Sequence, residues 1–235
     1  MSYITEYKEP GYTMNQFLEQ IHKKYPKKKY TFTARLDPMA CGLVPLIEKE
    51  NFKDFDSYLS AKKTYTVRVI LGLKTDSDDV LGMIENIDED YFKYVHNLSN
   101  LYTYFEKENE TFEQKYHYFS TKRLIARMKG KEDGFFKHLV TIFKSKVNGS
   151  GTLNFNSWVD DIVNDIEKID KMKKFRQDEI INQWENMRNR DNIVNYIDLE
   201  LDVSSGFFVR QFICDISKET RIPMLAYLIT RTSVY

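Results

Sequence analysis

The chain has 235 residues, 42% hydrophobic and 30% charged, and its 35 basic residues balance 35 acidic ones. That is long enough for one large domain or two small ones with a substantial core, and the apolar content excludes a disordered chain. No stretch has the apolar run of a membrane span, the N-terminus MSYITEYKEP has no signal-peptide pattern, and two cysteines, Cys41 and Cys214, argue against a disulfide framework or a cysteine-rich zinc site. Histidines 22, 96, 117 and 138 show no metal-ligand spacing. We therefore expect a soluble, intracellular protein without a histidine or cysteine metal site.

In chain order, Lys8 to Gly11 is a turn signal. Thr13 and Gln16 then form a capping box for an amphipathic helix, with Met14, Phe17, Leu18 and Ile21 at helical spacing until Tyr25-Pro26. The run Lys27, Lys28, Lys29 reads equally as a phosphate contact or a solvated connection. Within TFTARLDPMACGLVP, residues 31–45, Asp37 precedes a proline that biases it to extended backbone. Ala40, Cys41 and Gly42 leave room for a bulky group to approach. This suits a carboxylate in a cleft, and an ordinary strand-to-turn junction has the same appearance. Phe52, Phe55, Tyr58 and Leu59 predict a short helix, and TYTVRVILGL, residues 64–73, a strand. The acidic loop Thr75 to Asp79 lacks the ligand alternation of a calcium loop and reads as a structural or positioning loop.

Residues 89–107 read as a helix. Residues 114–131, QKYHYFSTKRLIARMKGK, interleave aromatics with bases, as stacking plus phosphate contacts would need; a basic surface loop above packed aromatics has the same composition. From 134 to 190 the pattern predicts helices. Phe135, Leu139, Ile142 and Phe143 form one face before a hinge-like Asn148 to Gly151, and Val159, Ile162, Val163, Ile166 and Ile169, then Ile180, Ile181, Trp184 and Met187, form two faces after it. We expect a helical insertion, 134–190, within a single domain, 1–235. Alternation from Ile193 to Val203 predicts a strand, and Ser204-Ser205-Gly206 opens a helix through Val209, Phe212, Ile213 and Ile216. Charge is blocked despite neutrality: seven Lys/Arg against three Glu in 1–35, eleven acids against two Lys in 75–113, nine Lys/Arg against two acids in 115–147. Such blocks can present a basic face or only solvated surface.

Three separated motifs resemble, in order, the catalytic domain of the TruB-type pseudouridine synthases. TARLDPMACGLVP is similar to the family's TGxLDPxAxGxLP, with Thr33, Leu36, Asp37, Pro38, Ala40, Gly42 and Pro45 in register and Lys53 continuing the pattern. KKTYTVRVILGLKTDSDDVLG resembles its K-x-Y-x-V strand and G-x-x-T-D-x-x-D-x-x-G loop through Tyr65, Gly72, Thr75, Asp76, Asp79 and Gly82. VSSGFFVRQFICDIS resembles CSKGTYIRTLxxDLG through Ser204, Gly206, Arg210 and Asp215, and LITRTSV resembles the closing LRRTxV. The likeness covers roughly 5–130 and 193–235. Phe32 stands where the family has histidine, Ser205 and Phe208 where it has Lys and Tyr, and the opening K-P-x-G appears as Lys8-Glu9-Pro10-Gly11.

The resemblance implies an α+β pseudouridine synthase fold, a mixed, largely antiparallel sheet flanked by helices, with no PUA-type domain after Tyr235. It implies a cytoplasmic isomerase that needs no cofactor or metal and acts on a flipped-out uridine, taken as the T-loop uridine at tRNA position 55, with Asp37 as nucleophile, Arg210 as its paired cation and Tyr65 stacked on the base. Lys8, Lys27, Lys28, Lys29, Arg35, Lys63, Lys122, Arg123 and Arg127 are the basic residues expected to meet RNA, and a monomer on a tRNA T-arm is the expected assembly. The alternative is a catalytically inactive RNA-folding module on the same scaffold.

Overall fold

In a computed structural model the described residues are 3–50, 61–93, 98–120, 137–171, 175–188 and 193–235. Ten strands are present among them: β1 Tyr3–Lys8, β2 Tyr30–Phe32, β3 Cys41–Glu48, β4 Lys63–Leu71, β5 Leu73–Thr75, β6 Ile84–Ile87, β7 Lys107–Lys115, β8 Lys137–Asn154, β9 Ile193–Val203 and β10 Met224–Val234. The α-helices are α1 Met14–Lys24, α2 Glu89–Lys93, α3 Tyr102–Phe105, α4 Phe155–Glu167, α5 Gln177–Asn186 and α6 Val209–Thr220. Eight strands make one sheet in the order β1-β3-β10-β4-β9-β8-β7, with β2 also paired to β3, and β5-β6 form a separate hairpin. Every pairing in the large sheet is antiparallel except β10 with β3. The mixed, largely antiparallel α+β architecture expected from sequence is the one observed.

Period-two patterning divides the core into two layers. Along β4, Tyr65, Val67, Val69 and Leu71 face one cluster, and their β9 neighbours Leu201, Leu199 and Ile197 lie opposite on the same face. That layer is covered by α1 through Met14, Phe17 and Ile21 and by α6 through Val209, Phe212, Ile213 and Ile216. On the other face Ile70, Val194 and Leu225 meet α4 and α5 through Val159, Ile162, Ile180 and Trp184. The capping box of α1 forms as its sequence predicts.

The helical expectation over 134–190 fails for its first part. Residues 137–154 are an 18-residue strand inside the main sheet, paired with β9 from Ile142 to Asn154. The apolar residues that suggested a helix lie on both sides of the strand: Ile142 is buried, Phe143 is half-buried and Leu139 is 73% exposed. The register slips between Ile142 and Lys144, so the buried positions run Val140, Ile142, Ser145, Val147. The glycines are strand residues too: a Cβ on Gly151 would stand 2.7 Å from the Tyr196 hydroxyl, which the bare backbone admits. Helices begin only at Phe155, and α4 and α5 cover the sheet. Residues 89–107 hold two short helices, α2 and α3, with β7 beginning at Lys107. The helix expected over Phe52 to Leu59 lies outside the described residues.

Trp184 is fully buried, donates Nε1–H to the Val80 carbonyl at 3.1 Å and packs edge-to-face on Trp158 at 5.2 Å. Trp184→Ala should therefore cost about 3–5 kcal/mol of stability, read as a lowered urea midpoint at constant m-value. A loss no larger than that of an exposed substitution would mean that α5 does not share the core.

Candidate active site

Asp37 lies in irregular chain between β2 and β3, in a turn closed by the Ala40 N–H donating to the Asp37 carbonyl at 3.1 Å. Such a segment has carbonyls no ladder can satisfy, and buried ones need donors. Two buried cations supply them. Lys8 Nζ, at the end of β1, donates to the carbonyls of Pro38 at 3.0 Å and Ala40 at 2.6 Å. Arg231, on β10, donates to the carbonyls of Leu43 at 2.7 Å, Arg35 at 3.2 Å and Ala34 at 3.3 Å. Glycine is required where the strands cross: Gly42 has φ of 111°, and a Cβ there would sit 2.3 Å from the Arg231 carbonyl oxygen.

Arg210 is the second residue of α6, and its side chain is only 6% exposed. Nε and Nη2 lie 2.9 and 2.8 Å from Asp37 Oδ2. On the inner side Nη1 donates to the Ser77 carbonyl at 2.9 Å and stands 3.5 Å from Asp79 Oδ2. Burial pulls the Arg210 pKa down, but the carboxylates of Asp37 and Asp79 outweigh it and hold the guanidinium above its ordinary value. Burial also pushes the Asp79 carboxyl up, against the opposing pull of Arg210. Asp79 Oδ1 accepts from Ser77 Oγ at 2.6 Å and from the Leu81 N–H at 3.0 Å.

Asp37, in contrast, keeps 41% of its side chain accessible. It opens on a cavity of about 460 Å³ also lined by Phe32, Lys63, Tyr65, Phe208 and Arg210, a size typical of sites that hold a small molecule or a single nucleoside. Asp37, Tyr65 and Arg210, from three distant stretches of sequence, thus share one wall. Lys63 Nζ donates to the Ala61 carbonyl at 2.8 Å and the Ser205 hydroxyl at 3.2 Å. Phe32, in the position where the resemblance predicts histidine, lines the cavity beneath the Arg35 guanidinium, 4.9 Å from its ring centroid. Phe208 packs edge-on against Tyr116.

Lys8, expected to meet RNA, is instead fully buried and spends its donors on backbone carbonyls. Lysine is a surface residue by default, and only the long-range packing of β1 against residues 38–40 reverses that. Lys63 is buried as well but borders the cavity. Arg35, Lys27, Lys28 and Lys29 are exposed, Lys28 being paired with Glu48. Lys122, Arg123 and Arg127 lie outside the described residues. Sequence reasoning passed over Arg231 and the inner partners of Arg210, Ser77 and Asp79. Arg231 stood in the closing TRTSV motif and Asp79 in the acidic loop, but residue type alone does not show that either side chain turns inward.

The mixed sheet with its flanking helices is the pseudouridine synthase fold. Two solved structures overlay on nearly the whole chain. One is "Crystal Structure of a Cbf5-Nop10-Gar1 Complex", with TM-score 0.51, 15% identity, 99% of this chain and 48% of that one. The other is "Structure of H/ACA RNP bound to a substrate RNA containing 2'-deoxyuridine", with TM-score 0.50, 14% identity, 98% of this chain and 46% of that one. Residues 22–130 match the model of the TruB family pseudouridylate synthase N-terminal domain. The tRNA pseudouridine synthase B of Chromohalobacter salexigens is 42% identical over 78 residues, 33% of this chain and 25% of that protein. That of Prochlorococcus marinus is 38% identical over 82 residues, 35% and 27% respectively. The matched stretch thus spans about a quarter of the length of these relatives. No helix among the described residues is long and apolar enough to cross a membrane.

Burial pulls Lys8 and Lys63 down to about 8 from an ordinary 10.5. A carbon-13 titration of lysine Cε signals, assigned with Lys8→Arg and Lys63→Arg, should show both midpoints near that value. Each folded value lies below the unfolded one, so the unfolded chain binds more protons between the two, and these groups make stability rise with pH across that window and leave it unchanged below. Ordinary midpoints for both would show that the two ammonium groups are solvated.

Proposed function

We propose that the protein is an RNA pseudouridine synthase, isomerising a flipped-out uridine, and that its substrate is the T-loop uridine at tRNA position 55, met in the cytoplasm by a monomer. The observation that carries this reading is the Asp37 carboxylate, anchored from behind by a buried arginine and open in front to a cavity that also holds Tyr65. In the reaction the N1–C1′ glycosidic bond breaks, the base turns, C5 bonds to C1′, the C5 hydrogen leaves as a proton and N1 takes one up. Nothing is gained or lost overall. Asp37 is the nucleophile, at ribose C1′ or at the pyrimidine ring, and Arg210 orients it along one oxygen. The Tyr65 ring stacks on the released base and its hydroxyl assists removal of the C5 proton. The base must leave its stack to enter, at a cost of a few kcal/mol, and Arg35 with Lys27, Lys28 and Lys29 offers phosphate contacts for an RNA recognised by shape.

Phe32 and Ser205, standing where the family has histidine and lysine, favour a second reading, an RNA-folding module on the same scaffold. The two are separated by a T-arm stem-loop carrying tritium at uridine C5. The wild type should release tritium and form pseudouridine, and Asp37→Asn should abolish release while RNA affinity is unchanged, since shape is kept and only charge is removed. A wild type that remodels tRNA, forms no pseudouridine and is indifferent to Asp37→Asn would decide for the folding module.

A further inference from the structure

The end of β7 and the turn after it reach both halves of the Arg210 cradle, through two buried side chains that the chemistry above does not use. Gln114 is 1% exposed. Its carboxamide closes on a single residue: the Phe208 N–H donates to Oε1 at 2.8 Å, and Nε2 donates to the Phe208 carbonyl at 2.9 Å. Phe208 is the N-cap of α6 and has no side-chain capping bond of its own. Its carbonyl also accepts the Phe212 N–H at 3.1 Å, the first turn of the helix that carries Arg210. A two-point clamp on the cap residue fixes where that helix starts and in which phase it presents its second residue.

His117 is 2% exposed. Its Nδ1 accepts the Phe119 N–H at 3.3 Å, so the proton sits on Nε2, which donates to Asp78 Oδ2 at 2.9 Å. Asp78 holds φ of 54°, a left-handed conformation that a non-glycine residue keeps only when its surroundings impose it. It stands between Ser77 and Asp79, the two residues that face Arg210 Nη1. The left-handed corner at Asp78 thus aims the Ser77 carbonyl and the Asp79 carboxylate at one guanidinium nitrogen, and His117 grips the side chain of that corner residue.

We propose that Gln114 and His117 are positioning residues for Arg210, and through it for the Asp37 carboxylate. Gln114 places the helix from which the side chain extends, and His117 places the loop that receives the inner guanidinium nitrogen. The catalytic consequence rests on the pseudouridine synthase reading; the positioning itself does not. Displacing a group of this kind by about 1 Å can cost about 100-fold in rate.

The test uses nitrogen-15 arginine-labelled protein and the hydrogen exchange of the Arg210 Nε–H, assigned by its disappearance in Arg210→Lys. That proton is bonded to Asp37 in the wild type and should exchange slowly. His117→Phe and Gln114→Met keep volume and lose the bonds. Each should speed this exchange, and slow single-turnover pseudouridine formation on T-arm RNA, by about tenfold or more, with RNA affinity unchanged. His117→Gln, which keeps a donor for Asp78, should restore most of both. Wild-type exchange and rate in His117→Phe and Gln114→Met would overturn the proposal. Equal impairment in His117→Gln and His117→Phe would assign the loss to ring packing and overturn it too. Should the first two variants not fold, Asp78→Asn tolerates the left-handed corner and weakens the bond from His117, and exchange as slow as in the wild type there would likewise overturn it. A wild type that makes no pseudouridine would remove the functional reading, while the exchange measurement would still decide the positioning.

Discussion

The buried guanidinium of Arg210 is the constraint on which the site depends. A charge taken out of water is tolerated only with partners in good geometry, and Arg210 has them on both sides: Asp37 outward, Ser77 and Asp79 inward. The inner partners are sealed and the outer one is not. Asp37 therefore has one oxygen committed to the protein and the rest of its carboxylate facing the cavity, the geometry that a nucleophile needs. The same ion pair joins α6 to the loop before β3, across 173 residues of chain.

Around that pair, side chains bonded to backbone carry the architecture. The segment from Ala34 to Ala40 has no strand partner to satisfy its carbonyls, so Arg231 and Lys8 donate to them from below. The loop from Ser204 to Phe208 is treated in the same way by its neighbours: the Ser204 hydroxyl accepts the Thr141 N–H, His138 Nε2 lies 2.7 Å from the Gly206 carbonyl, and Gln114 clamps Phe208. Two of these three come from β8, within the stretch that does not resemble the family core. Residues 137–154 extend the sheet and supply part of the wall beneath the pocket loop. Irregular chain near an active site keeps its shape only when each orphaned polar group is answered, and here buried cations and amides answer them.

Elements with a single consistent period were legible from sequence. β4 from Tyr65 to Val69 and β9 from Asn195 to Val203 alternate, and α1 carries both its capping box and its apolar stripe. β8 was not legible, because its apolar residues lie on both faces, Leu139 exposed and Ile142 buried, and a bulge between Ile142 and Lys144 resets the alternation. The aromatics and bases mixed over 114–131 read equally as an RNA-facing surface or as a basic loop above packed aromatics; in the described part, 114–120, Tyr118 and Phe119 are exposed while Gln114 and His117 are buried and turned toward the protein.

Asp37, Tyr65 and Arg210 could be named from sequence because each sits in a motif that resembles the TruB-type family, and a motif's local spacing survives without coordinates. The α+β class followed from the same resemblance. Only the tertiary structure decided that Lys8 and Arg231 point inward and that Asp79 shares a cation with Asp37. It alone decided, too, that the chain from Lys137 to Asn154 is sheet. The reason is physical: whether a charged side chain is solvated or buried depends on what distant chain packs over it, and a bulge is set by the partner strand.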